Sequence, residues 1–185
     1  MSTRIETLKT ETTTGTSKEL FDAVNKKLGF IPNLSKVFWN SPATLKAYFR
    51  LGESAGIGNF NAKLREQLAL AIAEENSCNY CLSAHTAVGK MNGLTEEQTE
   101  QNRQGISEDA KVQAGLQFAQ LVTKNRGVVS NEELQAVKGA GYSDGDVLEI
   151  VLNVVSNTLT NYVNHIAETD VDFPKVEAGK FSVIA

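Results

Sequence analysis

Apolar residues in this sequence recur three and four positions apart, and this spacing most strongly limits what the chain can fold into. Such intervals place side chains on one face of an α-helix. Several of the runs begin at a capping residue, such as Asn61 or Thr95, and one ends at Gly93. No sustained period-two pattern bounded by hairpin turns is present. The sequence therefore predicts an all-α protein, a single-domain bundle of roughly eight helices.

The length of 185 residues suits one domain with a hydrophobic core. Residues 1–16 are rich in threonine and other polar residues, which predicts an arm that is disordered or docked on a neighbour. Residues 17–185 then form the helical domain, with Ser17 as the N-cap of its first helix. Glycines in the stretch 52–60 predict a loop, and the residues from Asp170 onward predict an irregular tail.

Charge and hydropathy exclude two classes of partner. A formal net charge of −4 argues against nucleic acid, whose phosphates require clustered lysine and arginine. No apolar run approaches the roughly 18 residues of a membrane span, and the first residues are too polar for a signal peptide. We therefore expect a cytoplasmic protein without a membrane partner. In that reducing compartment, two cysteines spaced as CxxC indicate redox or metal chemistry rather than a disulfide framework.

The two cysteines, Cys78 and Cys81, are followed closely by His85. A helix from Cys78 to about Asn92 would place all three on one face, with Cys78 in the first turn, where the helix N-terminus favours a thiolate. His85 could then take the Cys81 proton directly or through a water, and Glu66 on the preceding helix could orient the imidazole. The second thiol could trap a sulfenic acid as a disulfide.

Other interpretations remain open at this point. Cys78, Cys81 and His85 could be zinc ligands with Glu66, His165 or a partner chain as the fourth, or the cysteines could be unreactive core residues. Four asparagines near helical spacing could line a cleft, hold a subunit interface or form a solvated face: Asn153, Asn157, Asn161 and Asn164. Four aromatic residues could wall a substrate pocket or belong to the core: Phe38, Trp39, Tyr48 and Phe49. We predict neither a metal nor a cofactor.

Four residues have the spacing Glu-x11-Cys-x2-Cys-x3-His, namely Glu66, Cys78, Cys81 and His85. This pattern resembles that of alkylhydroperoxidase D-like proteins in the carboxymuconolactone decarboxylase superfamily. The sequence Gly-Phe-Ile-Pro-Asn at 29–33, followed by Ser-Pro at 41–42, is also similar to the N-terminal half of the peroxidase-related branch. The resemblance covers the chain after the N-terminal arm.

The resemblance implies an all-helical fold and a homo-oligomer, commonly a trimer or hexamer. It also implies thiol-dependent reduction of hydroperoxides, with electrons from a dithiol protein or a lipoyl group. By position, Cys81 would be the attacking thiolate and Cys78 the resolving thiol, with His85 and Glu66 as the proton relay. The best-known members carry an additional histidine immediately before the second cysteine. Tyr80 stands there in this chain, and its phenol could serve as an auxiliary hydrogen-bond donor.

These observations favour a thiol-dependent peroxidase or disulfide reductase that acts in antioxidant defence. One alternative is a cofactor-free decarboxylase or lactone-processing enzyme of the same superfamily. The CxxC pair argues against it, because that chemistry needs no thiol couple. The other alternative is a non-enzymatic zinc or redox-sensing module.

Overall fold

The structure is a computed structural model that describes residues 4–7 and 15–179, most of them helical. Within those ranges there are nine helices, and no residue belongs to a β-strand. The predicted all-α class is therefore confirmed. In chain order the helices are α1 (Gly15–Leu28), α2 (Asn33–Phe38), α3 (Pro42–Gly56), α4 (Ala62–Glu75), α5 (Asn79–Met91), α6 (Glu96–Arg103), α7 (Ala110–Lys124), α8 (Asn131–Gly139) and α9 (Asp144–Ala167).

The predicted N-terminal arm, residues 1–16, lies in part outside the described residues. Its described segment, residues 4–7, lies against the C-terminal end of α9 in the same chain, where the Arg4 backbone N–H donates to the Ala167 carbonyl at 2.7 Å. Helix α1 begins two residues before Ser17, so Ser17 lies inside the helix rather than at its N-cap. The described part of the arm is therefore tied to its own chain.

Helix α4 is the central element, and its second half is buried on all sides. Residues 68–73 are at most 3% exposed. Leu68 and Ile72 pack into a core shared with α7, α8 and α9, whereas Leu70 and Ala73 pack into a second core shared with α1, α2, α3 and α5. A helix that is apolar around its whole circumference is stable only in such an interior position. Helix α4 therefore separates two cores and belongs to both.

The loop predicted for residues 52–60 is present only from Ile57 onward, because α3 continues to Gly56. A glycine inside a helix costs about 1 kcal/mol relative to alanine. Here the helix begins with a Ser41 N-cap and a proline at its first position, and it buries Leu45 and Ala55. Tertiary packing thus outweighs local propensity. A Cβ added at Gly52 would meet no atom within 4 Å, because the residue borders the cavity described below.

A tight turn joins α4 to α5 and brings the two helices together. Its central residue, Ser77, adopts a left-handed conformation with φ of 53°. The Ser77 N–H donates to the Glu74 carbonyl and the Cys78 N–H donates to the Ala73 carbonyl, both at 2.9 Å. This pair of bonds is the Schellman arrangement that closes a helix C-terminus. The turn therefore leaves Cys78 directly against the end of α4.

The residues after α9 are irregular, as predicted, but they are firmly attached to the helices. Arg103 forms a buried ion pair with Glu74 at 2.7 Å and also donates to the Glu177 carbonyl at 2.7 Å. The Gly179 N–H donates to the same Glu74 carboxylate at 2.7 Å. The tail therefore runs over α4 and α6 as part of the fold.

Helix α9 is the longest helix, with 24 residues. It begins with a capping box formed by Ser143 and Asp146, and it buries Ile150 and Val154 in the core with α4 and α7. Among the helices of the described part, α9 included, none is long and apolar enough to cross a membrane.

Replacing Ser77 with valine is expected to lower the free energy of unfolding by about 1–2 kcal/mol, because a β-branched residue is strained at positive φ. The side chain is exposed, so lost packing does not contribute. Ser77→Gly is the matched control and should remain within about 1 kcal/mol of the parent, since glycine adopts this conformation without strain. Urea denaturation measures both. Equal losses in the two variants would contradict the strain argument.

Candidate active site

Cys78 is the N-cap residue of α5, one position before the first turn in which the sequence had placed it. Its Sγ accepts a hydrogen bond from the Cys81 backbone N–H at 3.3 Å. The sulfur therefore occupies the position of a capping oxygen, against unpaired backbone N–H groups and the positive end of the helix dipole. Both cysteines are 2% exposed, and neither forms a disulfide.

The surroundings of the two thiols shift their pKa values in opposite directions. Hydrogen bonds from the Cys81 side chain and backbone lower the pKa of Cys78, although burial opposes them. Burial, together with the charge and hydrogen bond of Cys78, raises the pKa of Cys81 well above its usual range, and this rise is partly offset by Asn164 and Asn161. Of the two thiols, Cys78 is therefore the one that loses its proton more readily. The resemblance had implied the attacking thiolate at Cys81.

His85, one turn after Cys81 on α5, is held by Glu66 on α4, with 2.8 Å between His85 Nδ1 and Glu66 Oε2. Burial lowers the pKa of His85, but the charge and hydrogen bond of Glu66 outweigh burial, so the pKa is raised above its ordinary value. This contact needs close helix packing, which Gly89 permits. A Cβ there would come within 2.8 Å of Leu94 Cδ1 and 3.7 Å of Glu66 Cβ.

A cavity of about 340 Å³ lies beside these residues, within the size range of small-molecule sites. Cys81, His85 and Glu66 line it, whereas Cys78 is not part of its lining. Cys81 and His85 are not hydrogen-bonded to each other among the described residues. A proton can therefore pass between them only through a water or a bound substrate, which is one of the two routes that the spacing had allowed.

The cavity has walls of different chemistry. An apolar wall comes from the N-terminal helices and the tail, and a polar wall comes from α9: Val24, Leu28, Leu34 and Phe173 on the first, and Asn153, Ser156, Asn157 and Thr160 on the second. Of the four aromatic residues considered above, only Tyr48 is part of the lining. Burial and the nearby charges of Cys81 and Glu66 raise the pKa of Tyr48 to about 12. Its phenol is therefore a neutral donor inside the cavity.

Tyr80 also lines the cavity, but its hydroxyl is already engaged. It donates to Asp172 Oδ1 at 2.9 Å and accepts from the Leu34 N–H at 3.2 Å. Burial and the neighbouring Asp172 carboxylate raise its pKa, so the phenol stays neutral. Asp172 in turn accepts from the Asn33 N–H at 2.7 Å. The hydroxyl therefore connects α2, α5 and the tail.

The polar stripe of α9 faces the thiols and the imidazole, which is one of the three roles considered for it. Asn164 Nδ2 donates to Cys81 Sγ at 3.3 Å. A hydrogen bond with Asn157 helps to raise the pKa of His85. His165, by contrast, is exposed and is not among the cavity residues.

Two residues of the tail belong to the site without having been identified from the sequence. Asp172 fixes Tyr80, and Phe173 lines the cavity and packs edge-on against Tyr80 with 5.9 Å between ring centroids. The tail lacks helical spacing and any motif. An aromatic residue beside Pro174 is its only local signal, and nothing in the tail indicates that Asp172 contacts a residue 92 positions earlier.

The described residues contain no set of side chains that would support the zinc interpretation. There, no group of three or more histidine, cysteine, aspartate and glutamate side chains could hold a metal ion. The Glu66 carboxylate is directed at His85, and the Cys78 sulfur faces the backbone of α5. The fourth donor considered from this chain, His165, is exposed on α9.

Comparison with known sequences places part of this chain in a described family. Residues 42–121 match the Carboxymuconolactone decarboxylase family, a stretch that contains the whole Glu-Cys-Cys-His pattern. A 45-residue segment is 49% identical to an uncharacterized protein of Haemophilus influenzae, and it spans 24% of this chain and 40% of that protein.

Solved structures share the fold over nearly the whole chain. A peroxidase-related protein from Ralstonia eutropha JMP134, described as an alkylhydroperoxidase AhpD core, is 22% identical and superimposes with a TM-score of 0.81 over 92% of both chains. A peroxidase-related protein from Silicibacter sp. TM1040 is 20% identical, with a TM-score of 0.80 over 90% of this chain and 89% of that one. Both are described as uncharacterized.

A debrominase, Bmp8, in complex with 2,3,4-tribromopyrrole is 16% identical and has a TM-score of 0.80 over 93% of both chains. The fold therefore also occurs in a protein with a different described activity. The family match therefore covers residues 42–121, which include the whole motif. The all-helical fold of the two peroxidase-related proteins extends over nearly the whole chain.

Proposed function

We propose that this protein is a thiol-dependent peroxidase or disulfide reductase that reduces hydroperoxides through Cys78 and Cys81. One observation carries the proposal: the Cys81 thiol lines the same cavity as the His85–Glu66 pair, and Cys78 is in hydrogen-bond contact behind it. A nucleophile, a proton donor and a resolving thiol are the groups that such a reaction requires.

The reaction begins when the Cys81 proton passes to the Cys78 sulfur, which leaves Cys81 as the thiolate. Cys81 Sγ then attacks the distal oxygen of the hydroperoxide, the O–O bond breaks, and an alkoxide leaves. The His85 imidazolium, stabilised by Glu66, protonates that alkoxide to the alcohol. The Cys78 thiol next attacks the sulfenic acid on Cys81, which forms the disulfide and releases water. Two thiols are oxidised for each hydroperoxide reduced.

The cycle needs two electrons from outside to restore the thiols. We propose a dithiol protein or a lipoyl group as the donor, because a dithiol can attack the disulfide and then resolve its own mixed disulfide. Cys81 is the sulfur that such a donor would reach through the cavity. Free paired thiols persist in a reducing compartment, so we place this reaction in the cytoplasm as part of antioxidant defence.

Reductive removal of bromide from an aromatic substrate is the second candidate. The observation that favours it is the apolar wall formed by Leu28, Leu34 and Phe173 beside Cys81, together with the debrominase that shares the fold. The thiol pair could supply two electrons, converting the carbon–bromine bond to carbon–hydrogen with loss of bromide and formation of the disulfide. The decarboxylase or lactone-processing alternative has no such support, since a thiol lining the cavity plays no part in it.

Replacing Cys81 with serine is expected to abolish hydroperoxide consumption. Cys78→Ser should instead leave a sulfenic acid on Cys81 that dimedone traps, because no second thiol condenses with it. Serine is a favoured N-cap residue, so this variant keeps the start of α5. Thiol titration of the parent protein after stoichiometric hydroperoxide should show that both thiols are lost together and recovered with dithiothreitol.

Unchanged hydroperoxide turnover in both cysteine variants with any dithiol donor would refute the proposal. Release of bromide from a brominated pyrrole, without hydroperoxide consumption, would instead support the second candidate.

Replacing Glu66 with glutamine is expected to remove stability in a pH-dependent way. Because Glu66 raises the pKa of His85 in the folded protein, its contribution is full below the ordinary histidine pKa of about 6.5 and is lost as the pH rises through the folded value. The difference in unfolding free energy between parent and variant should be about 1–2 kcal/mol near pH 6 and should shrink at higher pH.

Urea denaturation at a series of pH values measures this difference. Glu53→Gln is the control, because it removes an exposed ion pair with Arg50 and should give a small effect with little pH dependence. A loss in Glu66→Gln that does not change between pH values would contradict the assigned contact with His85.

The resemblance also implied a homo-oligomer, and we propose that α9 supplies the contact with a second copy of this chain. Five exposed apolar residues recur along one face of that helix: Leu148, Val151, Val155, Tyr162 and Ile166. They extend over roughly 27 Å. An exposed apolar stripe on one face of a helix is a feature that can pair with an identical stripe across a two-fold axis.

Replacing Val155 with glutamate should therefore reduce the mass measured by light scattering, because it places a charge in the middle of the stripe. Val128→Glu is the matched control, since Val128 is also exposed but lies outside α9. A parent protein that is monomeric at micromolar concentration, or an equal loss of mass in both variants, would contradict the contact.

A further inference from the structure

The Cys81 sulfur is surrounded by side-chain amides as well as by its partner thiol. Asn164 Nδ2 donates to Cys81 Sγ at 3.3 Å, and both residues are buried. Asn161, one turn earlier on the same face of α9, is 0% exposed. Its amide also acts on Cys81, in the direction that favours the charged sulfur. One amide of α9 therefore donates to the Cys81 sulfur, and a second buried amide lies one turn away on the same face of the helix.

The orientation of Asn161 is set by a residue of the turn that carries the motif. Asn76 Nδ2 donates to Asn161 Oδ1 at 2.7 Å. Because the oxygen of the amide is engaged, its Nδ2 points to the opposite side. That nitrogen is buried and makes no hydrogen bond with any described residue. Asn76 is the C-cap of α4 and lies two residues before Cys78, so one turn positions the resolving thiol and this amide together.

A buried amide N–H without a partner is unfavourable, and native proteins rarely retain one without a reason. An N–H that is already directed at the place where charge develops needs no reorganisation when the charge arrives. We propose that Asn161 and Asn164 form an amide pocket that donates hydrogen bonds to the Cys81 sulfur when that sulfur carries negative charge. The role goes beyond the four-residue motif, because both asparagines lie on α9.

The amide pocket offsets the unfavourable ionisation of Cys81. Cys81 is buried beside Cys78, and both conditions oppose a thiolate at Cys81. When the Cys81 proton moves to the Cys78 sulfur, the negative charge moves from Cys78 to Cys81. Cys78 then loses the benefit of the α5 N–H that it had accepted, and the two amide donors compensate at Cys81. In this sense the inference rests on the proposed function, in which Cys81 attacks.

The experiment measures the ionisation of Cys81 directly and needs no turnover. In the Cys78→Ser protein, Cys81 is the only thiol, so the rate of alkylation by iodoacetamide against pH reports its ionisation. Adding Asn164→Leu, which is close in volume and apolar, should slow alkylation at neutral pH by roughly tenfold or more and move the midpoint of the profile upward. Asn161→Leu should act in the same direction, and Asn164→Asp should slow alkylation further by placing a like charge beside the sulfur.

Asn102→Leu is the matched control, because Asn102 is an equally buried asparagine on α6 and does not line the cavity of Cys81. It should leave the alkylation profile within about twofold of the parent, although it also removes a buried amide. If a leucine variant fails to fold, Asn164→Ser and Asn161→Ser provide the same comparison with a smaller change. Circular dichroism establishes which variants are folded.

Profiles in folded Asn161 and Asn164 variants that stay within twofold of the parent would overturn the inference. An equal shift in the Asn102 variant would also overturn it, since the effect would then be general loosening. If alkylation shifts as expected but the parent protein consumes no hydroperoxide, the amide pocket stands and the proposed peroxidase reaction fails. The two proposals therefore fail on different measurements.

Discussion

The burial of α4 between two cores is the constraint on which the rest of the structure depends. Because residues 68–73 have no solvent-facing side, the helix cannot rotate without moving apolar side chains out of one core or the other. Its orientation therefore fixes Glu66 toward α5. Its C-terminal closure, through Ser77, fixes Cys78 at the start of that helix. The carboxylate and the thiol of the motif are consequently held by the two ends of a single rigid element.

The site concentrates ionisable groups in a poorly solvated region, where an unpaired charge is costly. Each charge has a partner suited to its sign. The Cys78 sulfur faces the N-terminus of α5, the His85 imidazole faces Glu66, and the Cys81 sulfur faces the Asn164 amide of α9. Moving one proton between the thiols shifts charge from one prepared environment to another. The low local dielectric strengthens these contacts, so the loss of any one of them would be strongly unfavourable in free energy.

The sequence indicated the part of the site that depends on local spacing. Cys81 and His85 lie on one helix, so their approach to one another follows from helix geometry, and the Glu66 contact needed only the packing of adjacent helices. The asparagines of α9 could be recognised in the sequence as a stripe. Which part of the protein this stripe faces depends on how α9 packs, and no local sequence pattern predicts that packing. Asp172 and Phe173 were not predicted, because the tail contacts Tyr80 across 92 positions and has no periodicity. The predicted start of a loop at Gly52 failed for the opposite reason. The tendency of glycine to interrupt a helix was outweighed by the packing of Ala55.

The division between an accessible thiol and a more acidic thiol fits both halves of the proposed cycle. Access selects Cys81 as the nucleophile, because only it lines the cavity. A thiolate of higher pKa is intrinsically more nucleophilic, so Cys81 attacks more strongly once its proton has moved. In the reducing half, an external thiolate reaches the same sulfur through the cavity and expels Cys78. A thiol of lower pKa leaves faster, and Cys78 returns to the N-cap position where the backbone N–H stabilises its charge. One asymmetry in the surroundings of the two sulfurs therefore favours attack by one and departure of the other.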